Sequence, residues 1–253
     1  QYRYVNRAFA DGVGRNLNEI IGKKIWDVFP KDEADKRYAA VKWVFENGIT
    51  KVIEVRVPRP DGDTYYLTTV KPILNCQNAV TSVICISKEI TERKRMEQEL
   101  QHLSTHDILT GMYNRNFFEV EMVRLQFGRL FPVSIVVADV DNLKTVNDRY
   151  GHSAGDELIR KIAHLLRKSF RSEDIVARIG GDEFAILLPE MDEMATQALV
   201  DRLRVNLSKL DDPLSDLSIG MATGEEGCNL PDVMRLADDR MYQDKAAHKN
   251  EAK

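Results

Sequence analysis

The hydrophobic pattern along the chain changes period several times, and each change predicts an element. Asp32 to Glu46 carries Tyr38, Val41, Val44 and Phe45 at helical spacing and runs into Asn47-Gly48, which predicts a helix stopped by glycine. Lys51 to Val57 then alternates with period two, Pro60-Asp61-Gly62 supplies a turn, and Tyr65 to Ile73 returns. Ala79 to Ser87 follows the turn at Asn75 to Asn78 as a third strand, and Tyr2 to Val5 reads as a further short one. Between Ile90 and Leu103 the residues are mostly charged, with Met96, Leu100 and Leu103 at spacings of four and three. That pattern fits a short coiled-coil-like seam or one amphipathic helix packed on its own domain, and both readings stay open. From Ser104 onward the order is strand Val133 to Ala138, helix Gly155 to Phe170, a hairpin, helix Asp192 to Ser208, strand Leu217 to Met221 and helix Asp232 to Ala247. A βαββαβ order predicts an α+β unit whose sheet contains antiparallel strands and carries its helices on one face.

The hairpin concentrates the candidate chemistry. Asp174 to Ala177 and Ala185 to Leu188 are short β-prone runs, joined through Arg178-Ile179-Gly180-Gly181-Asp182-Glu183-Phe184. The two glycines are expected to accept positive φ and to leave room for something bulky over the turn. Adjacent acids at the start of a buried strand are costly without cations or hydrogen bonds, which points to a metal site; an acidic hairpin tip facing water is the plainer alternative. Val133 to Ala138 ends in Asp139-Val140-Asp141, so a carboxylate emerges where an apolar strand opens. If that strand neighbours the hairpin, Asp139 faces Asp182. Two carboxylates and a backbone carbonyl then make an oxygen site of the kind Mg²⁺ uses beside phosphates.

Composition narrows this picture further. The 253 residues, 43% hydrophobic and 30% charged, suffice for two ordinary domains. A net charge of −4 gives no basic footprint for a nucleic-acid duplex, yet leaves room for a local phosphate site. Cys76, Cys85 and Cys228 have neither disulfide nor metal-ligand spacing, as expected in the reducing cytoplasm. Apolar runs are too short to cross a bilayer and no signal peptide is visible; the chain starts at Gln1, so a membrane segment further upstream stays compatible with it.

Two family resemblances emerge. Tyr4-Val5-Asn6-Arg7-Ala8-Phe9, Ile20-Ile21-Gly22-Lys23 and Trp26-Asp27-Val28-Phe29-Pro30, with the three-strand pattern, resemble a PAS sensory domain over residues 1–90, its first strand missing. An unknown small ligand is compatible with such a domain. Histidine-ligated haem is not, because residues 1–90 contain no histidine. Cys76 lacks an Asn-Cys-Arg setting, and Trp26, Phe29 and Trp43 read as core. Residues 91–103 form the connector helix. In residues 104–253, Asp107-Ile108-Leu109-Thr110-Gly111-Met112-Tyr113-Asn114-Arg115, then Asp139 to Asp148, then Gly151-His152-Ser153-Ala154-Gly155-Asp156, then Gly180 to Phe184 resemble the GGDEF diguanylate cyclases. The order is also similar to the ferredoxin-like palm of polymerases and nucleotide cyclases.

The second resemblance implies a set of roles. GTP is the substrate and cyclic di-GMP the product of a homodimer with one GTP on each domain, with two Mg²⁺ or Mn²⁺ per site. Asp139, the Val140 carbonyl and Asp182 hold the metals with Glu183 beside them, and Asp182 is the candidate base. Lys144, Lys245 and Lys249 reach phosphates, although helix-surface lysines are by default simply solvated. His152, Gly180 and Gly181 fall on substrate-binding positions, and Asn147 and Asp156 on guanine-reading positions, where capping is the plainer role for both. The family usually has Gly-Arg where this chain has His248-Lys249, which replaces a bidentate phosphate grip by a point charge. Arg171-Ser172-Glu173-Asp174 matches the family's RxxD inhibitory product site, to which Arg178 and Arg202 could add donors; a surface ion pair is the plainer reading. A catalytically weak receptor for GTP or cyclic di-GMP is the rival function.

Overall fold

In a computed structural model the chain divides into two compact units, Gln1–Glu99 and Leu100–Lys253. The structure describes residues 1–60, 62–209 and 216–251, with side chains through 248. Asp61 of the expected Pro60-Asp61-Gly62 turn and the side chain of Lys249 therefore lie outside the described residues.

The first unit opens with helices α1 (Arg7–Val13), α2 (Leu17–Ile20), α3 (Ile25–Val28) and α4 (Lys31–Asn47), followed by strands β1 (Lys51–Val57), β2 (Thr64–Leu74) and β3 (Val80–Glu89). The strands pair antiparallel in the order β1-β2-β3, with Val55 opposite Tyr66 and Val70 opposite Cys85. Asn6 caps α1 by accepting from Phe9 N at 2.9 Å, and Gly48 closes α4 in the left-handed region at φ 66°. Residues 2–5 form no strand. Tyr2 instead exchanges backbone hydrogen bonds with the loop after α2, Tyr2 N to Lys23 O at 3.0 Å and Gly22 N to Tyr2 O at 2.8 Å. Val5, Ala10, Ile20, Val28, Phe29, Ala34 and Val57 make one core cluster and Ala40, Val44 and Val70 another, and burial pushes the Tyr2 phenol up to about 12.

Helix α5 (Thr91–Thr105) runs across the boundary between the units and buries none of its residues. Met96, Leu100 and Leu103 are 54%, 65% and 45% exposed, so the seam does not pack as an amphipathic face on its own domain.

The second unit contains β4 (Tyr113–Asn114), α6 (Arg115–Gln126), β5 (Val133–Val140), α7 (Leu143–Tyr150), α8 (His152–Ser169), β6 (Ile175–Arg178), β7 (Glu183–Pro189), α9 (Glu193–Leu207), β8 (Leu217–Gly224) and α10 (Leu230–Glu251). Its sheet has the order β4-β6-β7-β5-β8, antiparallel except where β4 joins β6. The expected single helical layer is corrected here. Val136, Ala138 and Val140 of β5 pack into one core with Val146 of α7, Leu158, Ile162 and Leu166 of α8 and Leu199 and Leu203 of α9. Ile135 and Val137 pack into a second core with Phe118 and Leu125 of α6 and Ala237 and Met241 of α10. Every residue of β5 is buried, and a strand buried on both sides needs cover on both faces. Gly220 on β8 permits the close approach of α10, since a Cβ there would meet the backbone at Ala237 and Met241. Among the described residues no helix is long and apolar enough to cross a membrane.

Candidate active site

Strand β5 is buried along its length and ends in acids, and register brings it to the hairpin. Asp139 pairs with Glu183 on β7 and with Ser218 on β8, while Val140 N donates to the Asp182 carbonyl at 2.9 Å. The hairpin turn thus begins within one backbone hydrogen bond of Val140. Asp139 is 5% exposed, and its Oδ1 receives the Lys245 ammonium of α10 at 2.5 Å. Burial raises the Asp139 carboxyl above its usual range despite this bond, and the charges of Asp182 and Asp141 add to the rise. Burial works against the Lys245 charge, but the bond to Asp139 and the surrounding acids outweigh it and raise Lys245. An ammonium resting on a buried carboxylate with further carboxylates around it marks a place that demands positive charge.

The glycine pair serves this place through space rather than through backbone handedness. Neither Gly180 nor Gly181 is among the glycines with positive φ. A Cβ on Gly180 would run into the Glu183 carboxylate, which folds over it, whereas Gly181 has nothing within 4 Å of its missing side chain. Arg178 braces the turn from behind. It donates to the Gly181 carbonyl at 2.7 Å and to both Asp107 oxygens at 3.1 and 3.2 Å. Asp107 also accepts from Thr110 N and Oγ1 at 2.9 and 2.7 Å; burial alone would raise its carboxyl, but these bonds and Arg178 hold it below the usual range. The Arg178 guanidinium is therefore committed to the turn and to Asp107.

Asn147 on α7 stands against Gly155 of α8, and Asp156 follows that glycine on α8. Both lie inside helices rather than at their starts, because α8 begins at His152, so neither caps. Asn147 Oδ1 is buried with no hydrogen-bond partner among the described residues. Gly155 makes this burial possible, since a Cβ there would overlap the Asn147 amide. An orphaned buried acceptor costs roughly 1–3 kcal/mol and is suited to a donor brought by a ligand. Lys144 on α7 and His152 on α8 are exposed.

Arg171 and Arg202 meet elsewhere, lining a cleft of about 220 Å³ with Ser169, Met191, Ala195, Ala198 and Leu199. Arg202 Nη2 donates to the Ser169 carbonyl at 3.0 Å. Asp174 is 6% exposed; its Oδ2 accepts from Arg171 N at 2.7 Å, and burial raises its carboxyl against that bond. It fixes the loop that presents Arg171. The structure thus does not pair Arg171 and Asp174 as a surface ion pair, and it keeps Arg178 on Asp107.

One group escaped the sequence reading. Asp141 accepts from Ser218 Oγ at 2.8 and 2.9 Å and from His248 Nδ1 at 2.9 Å. The hydrogen bond to Asp141 raises His248 above the usual imidazole range against the effect of burial, with Asp244 and Asp216 contributing. The available signal was the spacing of Asp139 and Asp141, two apart where an apolar strand ends.

Comparison with known proteins identifies the two units. Residues 104–251 match the family described as diguanylate cyclase, GGDEF domain, and residues 1–95 match a PAS fold. The diguanylate cyclase DgcM of Escherichia coli K12 is 34% identical over 176 residues, 66% of this chain and 42% of that protein. The cyclic di-GMP phosphodiesterase PdeR of the same strain is 28% identical over 248 residues, 94% of this chain and 37% of that protein. The chain thus spans less than half the length of these curated relatives. The coiled coil and GGDEF domain of DgcB from Caulobacter crescentus, solved in complex with c-di-GMP, superposes with TM-score 0.57 at 27% identity, covering 62% of this chain and 88% of that one. With the matched residues spanning more than half of its length, the acidic mouth of β5 and its glycine turn included, the chain belongs to the GGDEF diguanylate cyclase family and carries a PAS fold before that domain.

Proposed function

We propose that this chain condenses two GTP into cyclic di-GMP and two pyrophosphates. Two domains of a homodimer present one GTP each, and the PAS unit, with its unknown small ligand, acts as input. The observation that carries the reading is the buried Asp139 carboxylate, joined to the Asp182 turn through β5 and neutralised by Lys245. The donor set there suits Mg²⁺ or Mn²⁺, two per GTP: hard carboxylate oxygens, and an ammonium supplying at Asp139 the positive charge that an ion would bring. Asp139, the Val140 carbonyl, Asp182 and Glu183 would hold such ions. When bound, they neutralise charge on the reacting phosphates.

The residues of the chain account for the rest. Asp182 takes the proton of the attacking ribose 3′-hydroxyl, and in-line geometry is the main demand on the site. Lys144, Lys245 and Lys249 bear on the phosphates, and His152 at the start of α8 on the substrate. Gly181, open above its Cα, leaves the nucleotide room over the turn, and Gly180 lets Glu183 fold in. Asn147, whose Oδ1 lacks a partner among the described residues, and Asp156 accept from the guanine N–H groups, which adenine cannot match. Product inhibition would act at the cleft of Arg171 and Arg202, where a guanidinium fork suits guanine O6 and N7. There Asp174 acts by holding the loop, and Arg178 belongs to the turn. The cytoplasm, where GTP is available, is the fitting compartment.

A second reading, a receptor that binds GTP or cyclic di-GMP without turnover, is favoured by one observation, the likeness along 94% of the chain to PdeR, a protein named for breaking down cyclic di-GMP rather than making it. Incubation with GTP and Mg²⁺, with ATP in parallel, separates the two readings. Cyclic di-GMP identified by mass spectrometry supports the cyclase, and GTP bound but recovered intact supports the receptor.

A further inference from the structure

We propose that His248 is a positioning residue for this reaction, an inference that rests on the cyclase reading above. Helix α10 meets the acidic end of β5 through two side chains on one face, Lys245 and His248, spaced three apart. Their partners are Asp139, the last residue but one of β5, and Asp141, one residue past the strand's end. Lys245 Nζ lies 2.5 Å from Asp139 Oδ1, and His248 Nδ1 lies 2.9 Å from Asp141 Oδ2.

The two contacts differ in permanence. Asp141 is 6% exposed, its oxygens also accept from Ser218 Oγ at 2.8 and 2.9 Å, and its N–H donates to the Asp216 carbonyl at 3.0 Å. It is a fixed anchor within the sheet. The far ring nitrogen of His248 is 4.0 Å from Asp244, which itself accepts from Ile219 N and Arg204 at 2.8 Å each. Asp139 is also a residue that would hold a metal ion, and the ammonium it now receives would then be free to serve a phosphate, provided the end of α10 stays where it is. The His248–Asp141 bond, one turn further along, keeps it there. His248 thus acts through the helix on Lys245, and through Lys245 on nucleotide binding.

The test compares the full chain with His248→Ala and His248→Asn, the latter keeping an N–H donor at about the place of Nδ1. Initial rates against GTP at fixed Mg²⁺ are measured with amide hydrogen exchange of the last turns of α10. His248→Ala should raise KM roughly three- to tenfold, the worth of one such hydrogen bond. Its kcat should stay within about twofold, and exchange at the helix end should quicken. His248→Asn should restore most of both. An unchanged KM in His248→Ala, an Asn variant as poor as Ala, or a loss confined to kcat would overturn the proposal. If the wild-type chain makes no product, the cyclase reading fails by itself and exchange decides: faster exchange in Ala but not in Asn upholds the anchor, and equal exchange in all three removes it.

Discussion

Gly155→Ala should affect fold stability and nucleotide affinity by separate routes, and the contact between α7 and α8 sets the size of each. The new Cβ would overlap the Asn147 amide, whose Cγ stands 2.9 Å away, and would press Leu143 Cδ1 at 3.1 Å. Alanine inside a helix gains about 1 kcal/mol over glycine, whereas overpacking a contact of this kind costs about 1–3 kcal/mol. The single substitution should therefore destabilise by about 0–2 kcal/mol. Its effect on GTP follows from the displaced Asn147 oxygen: one hydrogen bond lost, about 0.5–1.5 kcal/mol, weakens binding roughly two- to tenfold. A double-mutant cycle with Asn147→Ala isolates the cause. With the amide gone, Gly155→Ala should become neutral or stabilising by up to about 1 kcal/mol, a coupling of about 1–3 kcal/mol. The assay needs a probe in the second unit, because both tryptophans, Trp26 and Trp43, lie in the first. Hydrogen exchange at the buried turns of α8 provides one. An equal cost for Gly155→Ala with and without Asn147 would refute the reasoning.

Asp156→Ser should relax the preference for GTP over ATP, because a hydroxyl both donates and accepts; unchanged selectivity in a competition assay would place base reading elsewhere. Arg171→Ala should relieve inhibition by added cyclic di-GMP with little loss of uninhibited rate, and superimposable inhibition curves would rule out the cleft as the product site. His248 carries the sign of a cation stabilised by folding: its folded pKa is raised, first by the Asp141 hydrogen bond, so its stabilisation is complete below the unfolded value and fades as pH rises through the folded one. The melting-temperature gap between wild type and His248→Asn should therefore shrink as pH is raised from below about 6.5. A gap that widens over that range would reverse the assignment.

What the sequence disclosed depended on whether a signal was local. The strands of the first unit and the hairpin around the glycine pair were legible because period-two alternation and turn residues sit next to each other in the chain. Residues 2–5 misled: Tyr2 and Val5 are apolar enough for a strand, but tertiary hydrogen bonds to Gly22 and Lys23 fix the segment otherwise. The helices on the second face of the sheet were foreshadowed by the consecutive apolar residues Ile135 to Ala138 of β5, which mean two covered faces and not one. The reason for Gly180 was misjudged because φ cannot be read from a residue name; its role is to clear space for Glu183. Arg178 and Asp107, 71 residues apart, and Asp141 and His248, 107 apart, are pairs that no local pattern links. Only the fold brings them together.

The central claim is that the acids at the mouth of β5 and in the glycine turn support phosphoryl transfer between two GTP molecules. It is tested most directly by product formation from GTP and Mg²⁺ in three proteins, wild type, Asp139→Ala and Asp182→Ala, each with its melting curve. The account predicts cyclic di-GMP from wild type and none above background from either variant, all three remaining folded, because each substitution removes a carboxylate from the place that demands positive charge. Undiminished cyclic di-GMP from a folded Asp139→Ala or Asp182→Ala protein would contradict it.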